Sequence, residues 1–202
     1  MGYQLTACII LLLFYGCYFG KMLRQQKQGI QTDQLGRGKH GLVRFIETAT
    51  KTSAYLVPIV EVISIWQNVS RLPPWSRSLG AVLGFLGAAV FLCSVLTMGT
   101  NWRAGVSETD RTELVTQGIY QISRNPAFLG FDLVYLGVLL MFFNWVLFAV
   151  SLFAVLMLHL QIVNVEEDFL IETFGQDYLV YQKKVNRYFG RKTVPNNNMK
   201  HP

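Results

Sequence analysis

Residues 126–165 read PAFLGFDLVYLGVLLMFFNWVLFAVSLFAVLMLHLQIVNV. Between Arg124 and Glu166 the only formal charge is Asp132. A bilayer-spanning helix needs about 20 predominantly apolar residues. The run is too long for one such helix and right for two, with Asn144-Trp145 near its middle as the turn of a tight helical hairpin.

Outward from this hairpin the pattern recurs. Residues 1–20 and 78–102 carry no charge, and between Lys51 and Arg71 the only charge is Glu61. Of the 202 residues, 51% are hydrophobic and only 15% charged, where an ordinary soluble domain has about 25% charged. The pattern predicts an all-α polytopic membrane protein with about five transmembrane helices, near 3–19, 53–70, 78–100, 126–143 and 145–165. Disordered, collagenous and disulfide-stapled classes are excluded.

Basic residues set the expected orientation, because they crowd the cytoplasmic side. With the N-terminus outside, segments 20–52, 101–125 and 166–202 lie inside and hold 7, 3 and 6 Lys or Arg, which is 16 of 18. Arg71 and Arg77 flank the outer loop. The expectation is a multi-pass protein, N-terminus outside and C-terminus cytoplasmic. The net charge of +6 thus marks one membrane face and not a nucleic-acid partner. The first span reads as an anchor and not a signal peptide, since no basic residue precedes it and Lys21 and Arg24 follow it.

Cys8, Cys17 and Cys93 fall inside spans, and His40, His159 and His201 are scattered, so no metal and no disulfide framework are implied. Segment 20–52 is basic, then apolar-periodic at Leu42, Val43, Phe45 and Ile46, which reads as an interfacial helix on the inner leaflet. Its Gly36-x-Gly38-x-x-Gly41 matches the dinucleotide fingerprint in letters only, because no strand precedes it. Glu61 is an intramembrane charge, which usually marks a function and is the best argument for a non-enzymatic membrane protein or small transporter, while Asp132, about one turn past Phe128, is open to a plain capping role.

The hairpin returns the chain to the side it left, so Arg124-Asn125 and Glu166-Glu167 must come close. Such a pair suits a zwitterionic ligand, and equally a salt bridge pinning the hairpin ends.

At these residues the chain resembles a known family. Leu114-Val115-Thr116-x-Gly118-Ile119-Tyr120, then Arg124-Asn125-Pro126-x-Phe128-x-Gly130, is followed after the hairpin by Glu166-Glu167-x-x-Leu170-x-x-x-Phe174-Gly175-x-x-Tyr178-x-x-Tyr181. These motifs, across about 95–190, are similar to those of the isoprenylcysteine carboxyl methyltransferases and their phospholipid methyltransferase relatives. That resemblance implies S-adenosylmethionine as cofactor, at a cytoplasmic site formed by the segment before the fourth span and the helices after the fifth. It places cofactor contacts on Leu114, Val115, Tyr120, Asn125, Pro126, Ala127, Phe128 and Glu166, with Arg124 available to the cofactor's carboxylate. Many relatives carry His-Pro-x-Tyr where this chain has Asn125 to Phe128. Eukaryotic members carry an arginine at the position of Ile162, so Arg103 becomes the candidate for a substrate carboxylate.

The domain organisation expected is a three-span membrane region over 1–100, a cofactor-binding methyltransferase region over 101–191 and a disordered tail over 192–202. The function expected is an S-adenosylmethionine-dependent methyltransferase acting on a lipidic or prenylated acceptor from the bilayer, isoprenylcysteine carboxyl O-methyltransferase-like. Phospholipid N-methylation is the alternative enzyme, and a non-enzymatic membrane protein or small transporter the alternative outside enzymes. Membrane sterol reductases share a related C-terminal architecture but are longer.

Overall fold

The computed structural model describes residues 2–36, 39–106 and 113–192. Gly38 of the fingerprint-like stretch, His201 and the tail beyond Lys192 lie outside the described residues. The described chain is helical, in the order α1 (Gly2–Lys27), α2 (Gly41–Gln67), α3 (Trp75–Met98), α4 (Pro126–Met141), α5 (Trp145–Gln161), α6 (Glu167–Phe174) and α7 (Gln176–Lys184).

The first five helices fall on the five apolar runs. Among the described residues three stretches are long and apolar enough to cross a membrane: Gly2–Lys27, Trp75–Asn101 and Trp145–Phe174. α4 is apolar but has 16 residues, or ~24 Å of helix at 1.5 Å per residue. α2 is long enough, but Arg44, Glu47, Lys51 and Glu61 punctuate it. The interfacial piece expected at Leu42–Ile46 is no separate helix; it forms the first turns of α2. A 3.6-residue apolar period cannot tell a helix that ends from one that continues.

Hairpin closure follows the sequence reading. Asn144 caps α5, its side-chain oxygen accepting from the Leu147 N–H at 2.9 Å, which satisfies one of the orphan donors of a helix start. Its side-chain N–H₂ donates to Ser64 Oγ of α2 at 2.8 Å.

α3 and α4 pack backbone to backbone. A Cβ on Gly80 would lie 2.4 Å from the Gly137 carbonyl oxygen, and one on Gly137 would lie 2.6 Å from the Gly84 nitrogen. Small residues let apolar helices approach this closely, and the gain is van der Waals contact where lipid offers no hydrophobic drive. Beside this seam Phe14, Phe91 and Phe131 form an aromatic core, with ring centroids 4.7 Å apart for Phe14–Phe91 and for Phe14–Phe131. Trp102 stands edge-on to Phe91 at 6.1 Å.

Outside the helices, the segment after α1 is stitched to the segment after α3. Ala104 N–H donates to the Thr32 carbonyl at 3.0 Å, and Gln34 N–H to the Ala104 carbonyl at 2.9 Å. The chain after α7 folds into a short hairpin, bridged at Val185 and Arg191. Cys8, Cys17 and Cys93 are free thiols on α1 and α3.

Candidate functional site

Opposite the Asn144 turn, the segment before α4 meets the helices after α5. Gly118, at φ +60°, starts a single 3₁₀ turn, Gly118–Gln121, against Thr97. That turn buries Tyr120, whose hydroxyl lies 2.8 Å from Ser94 Oγ and 3.3 Å from Met98 Sδ. The Tyr181 hydroxyl donates to the Tyr120 carbonyl at 2.6 Å. Leu114 and Val115 pack on the cluster made by Tyr120, Tyr178, Tyr181 and Val185. Burial pushes the Tyr120 hydroxyl up to about 12, eased by its Ser94 hydrogen bond and raised further by the nearby Glu166. Burial raises Tyr178 and Tyr181 as well.

The hairpin ends meet as topology requires. Arg124 Nη1 lies 3.0 Å from Glu167 Oε1 and donates to the Tyr178 hydroxyl at 2.7 Å. Arg187 grips the same carboxylate in a fork, Nε to Oε1 at 2.7 Å and Nη2 to Oε2 at 2.8 Å. Such bidentate, charge-assisted pairs are the strong ones, and this one raises the Arg187 guanidinium. The backbone joins in. Arg124 N–H donates to the Asn186 carbonyl at 3.1 Å, while Asn125 donates to the Arg187 carbonyl from its N–H and from Nδ2, each at 3.2 Å. Pro126 then opens α4 at its first turn, where its missing N–H costs nothing.

An unbroken α-helix would carry the 3.6-residue period of α5 straight through the acidic pair. The structure departs from this: Ile162–Glu166 form a π turn, in which the Glu167 N–H bonds the Ile162 carbonyl. The wider turn buries Glu167 against Arg124 and Arg187. It leaves Glu166 half-buried beside the Gln161 amide and near Glu47 of α2. Single π turns inside α-helices occur frequently at functional sites.

Beside Gln161 lies a cavity of about 70 Å³, walled by Tyr18, Trp102, Arg103, Phe128, Phe131 and Gln161. Ala127 also lines it. A second cavity of about 30 Å³ adjoins it through shared walls Tyr18, Leu35, Ala54 and Phe131, and reaches Phe19 and Tyr55 on the exposed flanks of α1 and α2. The Arg103 guanidinium is anchored to the Thr100 and Trp102 carbonyls at 2.6 and 2.9 Å. Gln161 Oε1 is buried with no hydrogen-bond partner among the described residues. A separate open groove of about 850 Å³ runs past Leu114, Asp177, Tyr181, Lys184 and Arg191.

The predicted residues therefore fall into three neighbouring groups. Leu114, Val115 and Tyr120 join the tyrosine cluster, Arg124 and Asn125 join the ion-pair network, and Arg103, Ala127 and Phe128 line the cavity. Glu166 stands between the first group and the third. Arg124 has its Nη1 on Glu167 and Tyr178, so of the two readings open for the hairpin ends the salt bridge is present. Tyr178 and Tyr181 stood in the closing motif without a role. Arg187, Gln161 and Glu47 were missed; only Gln161, a polar residue inside an apolar run, offered a signal.

An all-helical described chain with apolar helices long enough to cross a membrane and a polar cluster at the open end of the α4–α5 hairpin defines the class. The sequence pattern of the phospholipid methyltransferase family matches residues 75–177, from α3 into the start of α7, and the chain belongs to that family. It is similar to the protein-S-isoprenylcysteine O-methyltransferase of Dictyostelium discoideum, 30% identical over 160 residues, covering 71% of this chain and 56% of that one. Those of Saccharomyces cerevisiae (30% identity, 53% of this chain, 46% of that one) and Xenopus laevis (29%, 55% and 39%) match as well. The chain thus spans 39–56% of the length of these relatives.

Proposed function

We propose that this protein is an S-adenosylmethionine-dependent integral-membrane methyltransferase that esterifies the carboxylate of a prenylated or similarly amphipathic acceptor drawn from the bilayer. One observation carries the reading. The cavity has a cation, Arg103, on one wall, while Gln161, beside the carboxylate of Glu166, forms another. A carboxylate acceptor fits the first and a cationic donor the second. The aromatic walls and the adjoining cavity toward Phe19 and Tyr55 suit an apolar tail entering between α1 and α2.

The residues present fit the cofactor. The Gln161 oxygen is buried and unpartnered, Glu166 suits an ammonium or ribose hydroxyls, and Leu114, Val115, Tyr120 and the Asn125–Phe128 stretch offer apolar and aromatic walls. When bound, the cofactor supplies a methyl group on a sulfonium that departs as a neutral thioether. Arg103 orients the acceptor carboxylate, which is already a nucleophile and needs no general base. Trp102, Phe128 and Phe131 keep water from the reacting carboxylate. Catalysis rests on positioning. His159 is 2.5 Å from the Tyr188 hydroxyl, outside the cavity wall.

The same reading takes all five apolar helices as spans, the N-terminus as outside and the site as cytoplasmic. It assigns 1–100 to membrane embedding and acceptor entry and 101–191 to cofactor binding. The test is transfer of radiolabelled methyl by the purified protein to a short prenylated thiol acid or to phosphatidylethanolamine. Label in base-labile ester supports the proposal; label only in base-stable phospholipid replaces it with N-methylation.

A further inference from the structure

Glu47 lies on α2, upstream of the segment that matches the family, and its side chain is fully buried. Its Oε2 accepts the Gly36 N–H at 2.7 Å, and its Oε1 lies 3.5 Å from Gln161 Nε2. Among the described residues no Lys, Arg or His forms an ion pair with it. A buried ionised carboxylate is costly unless a cation or a full set of donors meets it. Here one backbone N–H and one shared amide do so, and the Glu166 carboxylate lies beside that same amide.

Two carboxylates flank one amide. The amide oxygen, on a side chain 1% exposed, has no hydrogen-bond partner among the described residues and belongs to a side chain in the wall of the cavity. Among the described residues no cation is paired with this corner. A fixed sulfonium cannot donate a hydrogen bond, so it is recognised only by negative potential in a place that water does not screen.

We infer that Glu47 is a further binding residue of the site, reading the sulfonium charge of the bound cofactor across Gln161 while Glu166 takes its ammonium or ribose hydroxyls. The inference rests on the methyltransferase reading. It adds to that reading a contribution from the N-terminal half of the chain.

Glu47→Gln removes the charge while the glutamine oxygen still accepts the Gly36 N–H; its new N–H₂ faces Gln161 Nε2, so a neutral ligand is needed as the control for that local rearrangement. The measurement is the dissociation constant of S-adenosylmethionine and of its neutral product, S-adenosylhomocysteine, for the full chain in detergent. Glu47→Gln should weaken the cation by roughly tenfold or more and the neutral product by less than about threefold. The wild type gives a second test that needs no variant to fold. It should bind sinefungin, which carries an amine in place of the sulfonium, more tightly than S-adenosylhomocysteine. Equal losses for both ligands in Glu47→Gln, no loss for either, or a wild type indifferent to ligand charge overturns the inference. A folded wild type that binds none of the three overturns the methyltransferase reading itself.

Discussion

Arg124 and Glu167 stand 3.0 Å apart in the protein interior, and through that contact the two ends of the α4–α5 hairpin are locked together. Arg187 completes the network from the far side of the carboxylate. Removing one partner of a buried ion pair leaves an uncompensated charge and costs about 3–5 kcal/mol. Glu167→Gln should therefore lower the unfolding temperature in detergent clearly. Glu166→Gln should leave it near wild type, since Glu166 joins no ion pair among the described residues. Equal melting of the two variants would contradict the roles assigned to these neighbours.

The buried tyrosines set an alkaline limit. The Tyr120 hydroxyl titrates at about 12 in the folded protein against an ordinary 10.0, chiefly because burial disfavours the phenolate. Between those values the unfolded chain has lost a proton that the folded one keeps, so stability falls as pH rises. Stability should be flat on this account below about pH 9 and decline from about pH 10 upward. Thermal unfolding across pH 8–12 would show it. Rising stability over that range would contradict the burial of the tyrosine cluster.

Much of the α3–α4 seam depends on missing side chains. Gly137→Ala places a methyl 2.6 Å from the Gly84 nitrogen and 2.7 Å from the Gly80 carbonyl oxygen. Backbone cannot step aside cheaply, so the variant should lose about 1–3 kcal/mol. Gly16→Ala on α1 meets nothing within 4 Å and should be neutral or slightly stabilising. Matching melting temperatures for the two variants would refute the seam.

How much of this was legible beforehand differs from element to element. The hairpin, its Asn144 turn and the meeting of Arg124 with the acidic pair follow from charge-free lengths and from the chain returning to its starting side. The π turn at Ile162–Glu166 was invisible, because an inserted residue changes the face of everything after it while leaving local propensity intact. That turn decides which glutamate is pinned. Glu47 was hidden for another reason: its contacts, Gly36 and Gln161, lie 11 and 114 residues away, and no local pattern announces such partners.

The proposed topology has a direct check. Single cysteines introduced at Lys39 and Lys192 of a cysteine-free protein should react with an impermeant reagent from the cytoplasmic side, and one at Arg71, exposed on the outer loop, should not. Reaction at Arg71 from that side would reverse or reduce the five-span arrangement.

The central claim is that the polar site at the end of the hairpin holds S-adenosylmethionine, and equilibrium binding of the radiolabelled cofactor to monodisperse protein in detergent tests it most directly. Wild type should bind saturably. Loss of a carboxylate that holds a ligand ammonium costs about 2–4 kcal/mol, so Glu166→Gln should bind roughly 30- to 1000-fold more weakly. Folded wild type without saturable binding, or Glu166→Gln binding as wild type does, would contradict the account.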